Sequence, residues 1–158
     1  MKTTVRKNKL TKGFTLIELL VVIGILAILL AITLIAINPA RQFSQANNTK
    51  RSSDVNSVLN AINQYMADNK GALPAGITTT ARTINGASFS AMCSALVPTY
   101  IAALPTDPLV NANAVQSTDC ASTTWNTGYV VQQLTGGSNR LTVSAPAAEL
   151  SATISVTR

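Results

Sequence analysis

The sequence predicts an α+β protein: a long N-terminal helix, transmembrane in its first half and amphipathic in its second, packed against a small C-terminal antiparallel β-sheet head. Three observations predict this fold. Residues 14–37 are an almost unbroken apolar run, and residues 38–70 are polar with an apolar stripe. In the last third of the chain, two segments, NRLTVSA and ATISVTR, alternate apolar and polar residues. These patterns are typical of a membrane span, an amphipathic helix and half-buried strands, respectively.

The apolar run holds one ionisable residue, Glu18, among its twenty-four residues. As a helix it would be about 36 Å long, which is enough to cross a hydrocarbon layer of about 30 Å. A core helix of a soluble domain this small would be shorter and would have a polar face. We therefore predict a transmembrane helix over residues 14–37.

The positive charge of the chain is concentrated before this helix. Five of the twelve basic residues precede Gly13, whereas seven basic and six acidic residues follow, so the net charge from Phe14 onward is +1. A basic N-terminal flank predicts a cytoplasmic N-terminus and a head outside the membrane. The nearly neutral remainder gives no strong sign of direct nucleic-acid binding.

The small residue that marks a candidate cleavage site, Gly13, lies before the apolar run, whereas an ordinary secretory signal is cut after it. Cleavage after Gly13 would discard the basic leader, residues 1–13, and would create an α-amino group on Phe14. A carboxylate such as Glu18 costs about 2.5–3.5 kcal/mol at the centre of a membrane. The new amine, from the same chain or from an adjacent copy, would compensate this charge, and pairing between copies would fix their stagger. The other interpretation is a tolerated acid near one end of an anchor.

The stretch KGFTLIELLVVIGILAIL, residues 12–29, resembles the N-terminus of type IV pilins and of the pseudopilins of type II secretion and competence systems. In that family a prepilin peptidase cuts after the Gly, the exposed Phe is N-methylated, and the acidic residue is used in filament assembly. The resemblance implies these roles for Gly13, Phe14 and Glu18. It also implies three kinds of partner: other copies of the chain, prepilin peptidase, and a pilus or secretion assembly machinery.

Residues 38–70 predict the amphipathic outer half of the helix. Asn38-Pro39 predicts a kink or an unwound turn, because Pro removes a hydrogen bond and disfavours helical geometry in the residue before it. The apolar residues at helical spacing are Val55, Val58, Leu59, Ile62, Tyr65 and Met66. They predict one face packed on the head, and Lys70-Gly71 predicts the helix end. We expect a single bent helix from about Phe14 to Asn69.

The head, residues 71–158, begins with a linker rich in Gly, Pro and Thr. A short helix is predicted in SFSAMCSALVPTY, followed by a turn at LPTDP, residues 104–108. Three antiparallel strands are predicted in GYVVQQL, NRLTVSA and ATISVTR, the first two separated by the turn residues Gly136-Gly137-Ser138. The resemblance implies the same α+β layout.

Two cysteines, Cys93 and Cys120, lie in the outward-facing head, where an oxidising compartment favours a disulfide. Free thiols are the alternative if the exterior is reducing, and metal binding is disfavoured because the chain has no His. LPTDPLVN resembles the Asp-Pro loop of major pseudopilins, in which calcium stabilises the head, so Asp107 is a calcium candidate. Calcium takes six or more oxygen ligands. The default interpretation of Asp107 is therefore a turn residue, and no cofactor is predicted.

Catalytic chemistry has few residues to use. The chain has no His, six acidic residues, no CxxC and no Gly-rich phosphate loop after a strand. We therefore expect no enzyme. The resemblance implies a structural subunit, stored in the cytoplasmic membrane and polymerised through its helix into an extracellular or periplasmic filament like a type IV pilus. Such a filament would serve adhesion, motility, DNA uptake or protein secretion. The alternative is a monomeric membrane-anchored extracytoplasmic binding module.

Overall fold

A computed structural model describes residues 13–110, 113–136 and 139–158. The basic segment of residues 1–12 and the predicted turn residues Gly137-Ser138 lie outside the described residues. The elements, in chain order, are α1 (Leu16–Ile37), α2 (Pro39–Asp68), β1 (Arg82–Asn85), α3 (Gly86–Leu96), β2 (Asn126–Gln133), β3 (Leu141–Ala145) and β4 (Ile154–Thr157). The predicted α+β class is confirmed. The chain forms two units, one that ends at Pro39 and one of Ala40–Arg158.

The first unit contains α1, a helix of 22 residues in which no residue is buried. It is apolar on every side, and its length and composition suit a membrane span. Helices that are hydrophobic all round are stable only when lipid or protein covers them. This helix therefore needs a cover from outside its own unit.

The predicted single helix is interrupted at one residue, Asn38. Its backbone is left-handed, with φ 44° and ψ 79°, a conformation that Asn tolerates better than most residues. Pro39 then begins α2, a position that suits Pro because the first N–H groups of a helix have no intrahelical partner. The long helix is thus two helices, and the break lies where Asn38-Pro39 predicted an unwound turn.

In the second unit, α2 carries the predicted apolar stripe into the core. Its buried residues are Arg51, Val55, Val58, Leu59, Ala61 and Ile62, and Tyr65 and Met66 pack partly buried against the same core. The stripe meets the inward face of the sheet, where Leu141, Val143 and Ala145 alternate with half-buried residues. Packing between these two apolar faces explains the α+β layout.

The sheet has four antiparallel strands in the order β1-β2-β3-β4, one more than the sequence predicted. The additional strand, β1, lies in the segment interpreted as a linker. It has four residues, RTIN, of which Ile84 alone is buried, and its register with β2 shifts between Thr83 and Asn85. Such a short, irregular strand has no readable alternation, and its pairing with β2 is what orders it.

A buried guanidinium, that of Arg51, joins α2 to two loops of the head. Its Nε and Nη2 donate to the two carboxylate oxygens of Asp107, at 2.7 and 3.1 Å. Its Nη1 donates to Glu149 Oε2 and to Asn48 Oδ1, both at 2.9 Å. The side chains of Arg51 and Asp107 are both 0% exposed. Burial of these charges is tolerated because every partner is placed to satisfy them.

Glu149 is the second carboxylate of this cluster, and the first turns of α2 surround it. Ser44 Oγ donates to its Oε1 at 2.8 Å and Asn47 Nδ2 to its Oε2 at 3.0 Å, while Asn48 bonds its backbone N–H and carbonyl. The hydrogen bonds from Arg51, Asn47 and Ser44 lower the pKa of Glu149 from 4.5 to about 2. The hydrogen bond to Asp107 has the opposite effect on Arg51 and raises its pKa. Arg51 and Glu149 are therefore both charged at neutral pH.

Replacing Arg51 by Ala should lower the free energy of unfolding of the head by about 3–5 kcal/mol, because Asp107 is left as an uncompensated buried charge. Urea unfolding of the full chain in detergent micelles measures this change. The matched control is Lys50→Ala, which removes the neighbouring cation. The Lys50 side chain is 51% exposed in its ion pair with Asp54, so a loss of about 1 kcal/mol or less is expected. Equal losses for the two variants would contradict the role given to Arg51.

The head should also lose stability in acid through Glu149. Its pKa is lower in the folded protein, so its contribution is present above pH 4.5 and is lost as the pH falls toward about 2. The melting temperature of the native protein should fall across this window, and that of Glu149→Gln should fall less steeply. Parallel curves for the two proteins would show that this carboxylate does not carry the linkage.

Candidate functional site

The N-terminal end of α1 presents the Gly13–Phe14 bond in exposed, non-helical backbone. Phe14 is 86% exposed. No described heavy atom lies within 4 Å of the position that a Cβ on Gly13 would take. The bond predicted to be cut is thus not shielded by the described part of the chain.

Glu18 closes the first turn of α1 together with Thr15, in a capping box. The Thr15 hydroxyl oxygen accepts a hydrogen bond from Glu18 N at 3.3 Å. Glu18 Oε2 accepts in return from Thr15 N and from Thr15 Oγ1, both at 2.8 Å. This reciprocal pairing satisfies N–H groups that have no intrahelical partner, and it holds the carboxylate at the N-terminal end of the helix.

One face of α1 combines this carboxylate with apolar side chains. This face has a shallow depression with a volume of about 370 Å³, which is lined by Phe14, Ile17, Glu18, Val21 and Val22. In the part of the chain that the structure describes, the ion pairs lie in the Ala40–Arg158 unit and none of them includes Glu18. Within these residues the carboxylate has Thr15 as its partner but no cation.

The two cysteines of the head are joined in a disulfide between Cys93 and Cys120, 27 residues apart in the sequence. Cys93 lies on α3, and Cys120 lies in the segment that leads to β2. Both residues are buried. The bond fixes a segment without regular secondary structure to a helix of the core.

The calcium candidate, Asp107, lies in the turn expected from its sequence, but its oxygens have other partners. Both contact Arg51, and Oδ1 also accepts from Leu109 N at 2.9 Å. Asp119, the next acidic residue in the sequence, instead accepts a hydrogen bond from Gln116 N. No group of three or more His, Cys, Asp or Glu residues suited to a metal occurs among the described residues. A cation at Asp107 would have to displace the Arg51 guanidinium.

Arg51 and Glu149 have a central role in the structure but were not singled out in the sequence. A signal was present for Arg51, which lies four residues before Val55 and so continues the apolar stripe of α2 by one turn. A charged residue on a buried stripe requires a buried partner of opposite charge. No comparable pattern marks Glu149, whose neighbours in the sequence are small and apolar.

Comparison with known proteins bears on the N-terminal end of the chain. Residues 8–34 match the family model of the prokaryotic N-terminal methylation motif. No curated protein and no solved structure matches the chain. The matched range contains the Gly13–Phe14 bond, Glu18 and most of α1, and such a motif, with an apolar helix after it, fits a membrane-anchored structural protein. The chain thus carries the prepilin leader motif that is found in type IV pilins and pseudopilins.

Proposed function

We propose that the chain is a pilin-like structural subunit that is cut after Gly13, held in the cytoplasmic membrane by α1, and then polymerised through α1 into a filament. The observation that carries this proposal is the state of α1. All of its 22 residues are exposed, and one carboxylate lies in its first turn. A helix that serves only as a membrane anchor needs no such carboxylate.

The apolar surface of α1 must be covered in both forms of the protein, by lipid in the membrane and by other copies in the filament. In the stored form, lipid covers α1, with the basic residues before Gly13 on the cytoplasmic side and the head outside. The disulfide of the head is consistent with an oxidising exterior. In the filament, copies of α1 cover one another, because a helix that is apolar all round cannot leave the membrane for water.

Glu18 gives the copies a register. Cleavage would create an amine on Phe14, next to Thr15, whose own N–H binds Glu18 Oε2. Among the described residues, Glu18 Oε1 receives no hydrogen bond and can accept one from the amine of an adjacent copy. In an apolar surrounding, a slip along the helix axis would leave both charges unpaired, which costs several kcal/mol. The favoured stagger is therefore the one that pairs them.

The remaining partners follow from the same motif. A prepilin peptidase would cut and methylate the N-terminus, and a pilus or secretion machinery would extract the subunit from the membrane. The head would stay folded during this transfer, because its own core, its disulfide and the Arg51 cluster all lie within Ala40–Arg158. Adhesion, motility, DNA uptake and protein secretion are the uses that such a filament would serve.

Replacing Glu18 by Val should stop filament assembly while leaving membrane insertion intact. The reason is that the Phe14 amine then has no partner in the apolar core, and the loss of about 3 kcal/mol per contact predicts roughly a hundredfold fewer filaments. Immunoblots of the sheared surface fraction and of the membrane fraction measure assembly and insertion separately. In the native strain, abundance in the sheared fraction indicates a pilus, and retention in the envelope indicates a pseudopilus.

The matched control is Thr33→Val, which also replaces a polar residue of α1 by Val. Thr33 Oγ1 donates only within the helix, to the carbonyl of Leu30. This variant should assemble like the native protein. Normal assembly of Glu18→Val would contradict the role that the proposal gives to Glu18.

A further inference from the structure

The head unit exposes few large apolar side chains. Among the described residues of Ala40–Arg158 they are Phe43, at 70% exposure, Leu109, at 64%, Leu150, at 51%, and Val110, at 46%. The rest of the large apolar side chains of this unit are buried or partly buried. These four residues therefore mark where the head has apolar surface without a cover.

Phe43 and Leu150 lie at the same end of the unit. Phe43 precedes Ser44 on the first turns of α2, and Leu150 follows Glu149. Ser44 Oγ donates to Glu149 Oε1 at 2.8 Å, so the two segments are in direct contact. Leu109 lies on the other loop held by the Arg51 cluster, two residues after Asp107. The carboxylate of Asp107 binds Arg51, which lies further along α2 than Ser44.

The loop that carries Leu150 has an unfavourable backbone. Leu150 and Ser151 both adopt left-handed conformations, with φ of 58° and 56°, although neither is Gly. Hydrogen bonds of Glu149 to Arg51 and Asn48 hold the loop in place. Strained backbone persists where the surroundings enforce it, and it often marks a functional surface. Here it presents an apolar side chain outward.

This end of the unit is also the end that is tethered to the membrane span. Phe43 is six residues after Ile37, the last residue of α1. Six residues reach at most about 20 Å even when fully extended. The covalent connection alone therefore keeps Phe43 within about 20 Å of the last residue of α1.

We propose that in the membrane-anchored form Phe43 and Leu150 dock the head on the outer surface of the lipid bilayer. The inference rests on the anchored form of the proposed function and not on polymerisation. Apolar side chains gain free energy when they enter the boundary between headgroups and acyl chains. The carboxylate of Glu149 is held inside the head by hydrogen bonds from Arg51, Ser44 and Asn47. Lipid is the favoured occupant because the tether keeps it within reach of every copy.

Fluorescence quenching by brominated lipids tests this contact. Trp125 is the single tryptophan of the chain and is 7% exposed, so the native protein supplies the baseline. The full chain is placed at one copy per nanodisc, with lipids brominated in the upper part of the acyl chain. In Leu150→Trp, the new tryptophan should lose about half of its fluorescence, because a side chain at the interface reaches the depth of the bromine atoms. The matched control, Leu109→Trp, should lose no more than the native protein.

A second substitution tests whether Phe43 shares the contact. Adding Phe43→Ser to Leu150→Trp should lower the quenching about twofold, while resistance to carbonate extraction stays unchanged because α1 still spans the membrane. Equal quenching of Leu150→Trp and Leu109→Trp, or quenching of neither, would overturn the proposal. The proposal would also be overturned if the tryptophan of Leu150→Trp became buried only in vesicles that hold many copies, because this result would indicate a contact between heads. Glu18→Val in this background should quench normally, which separates failure of docking from failure of assembly.

Discussion

The head depends on the buried guanidinium of Arg51. A charge with no exposed surface must have its hydrogen bonds satisfied inside the protein, and the partners here come from three separate segments: α2, the turn at Asp107 and the loop at Glu149. Because an unpaired charge at this depth costs several kcal/mol, the three segments have one favourable arrangement. The apolar stripe of α2 supplies the main driving force for packing on the sheet, and the cluster determines how the two loops meet that helix.

The same electrostatic requirement separates the fold of this chain from its function. The carboxylates that pair with Arg51 both lie within the head, so this charge needs no partner from outside the head. Glu18 lies in an apolar helix that no described residue of its own unit covers. Among the described residues it has a hydroxyl and an N–H as partners but no cation. One charge is balanced inside the chain, while the other calls for a partner from outside. That difference is the physical basis of our proposal that assembly depends on α1.

Local sequence patterns predicted those features of the structure that local interactions determine. The stripe of α2 and the alternation in β3 and β4 each reflect one face packed on the core, and the apolar run and the prepilin motif are contiguous in the sequence. The features that were missed depend on distant residues. Arg51 is separated from Asp107 by 56 residues and from Glu149 by 98. Likewise, β1 is ordered by its pairing with β2, and RTIN has no alternation to show it. In both cases the partner is defined only by the folded chain.

The most direct test of this account is the mass of the N-terminal peptide, together with the intact mass, of protein taken from the membrane and sheared surface fractions. We predict that the mature chain begins at Phe14 with one added methyl group, so that an α-amino cation lies four residues from Glu18. A chain that retains Met1 or Lys2 and the whole basic segment would contradict the account. Glu18 would then have no processed amine to pair with, and α1 would be a simple anchor.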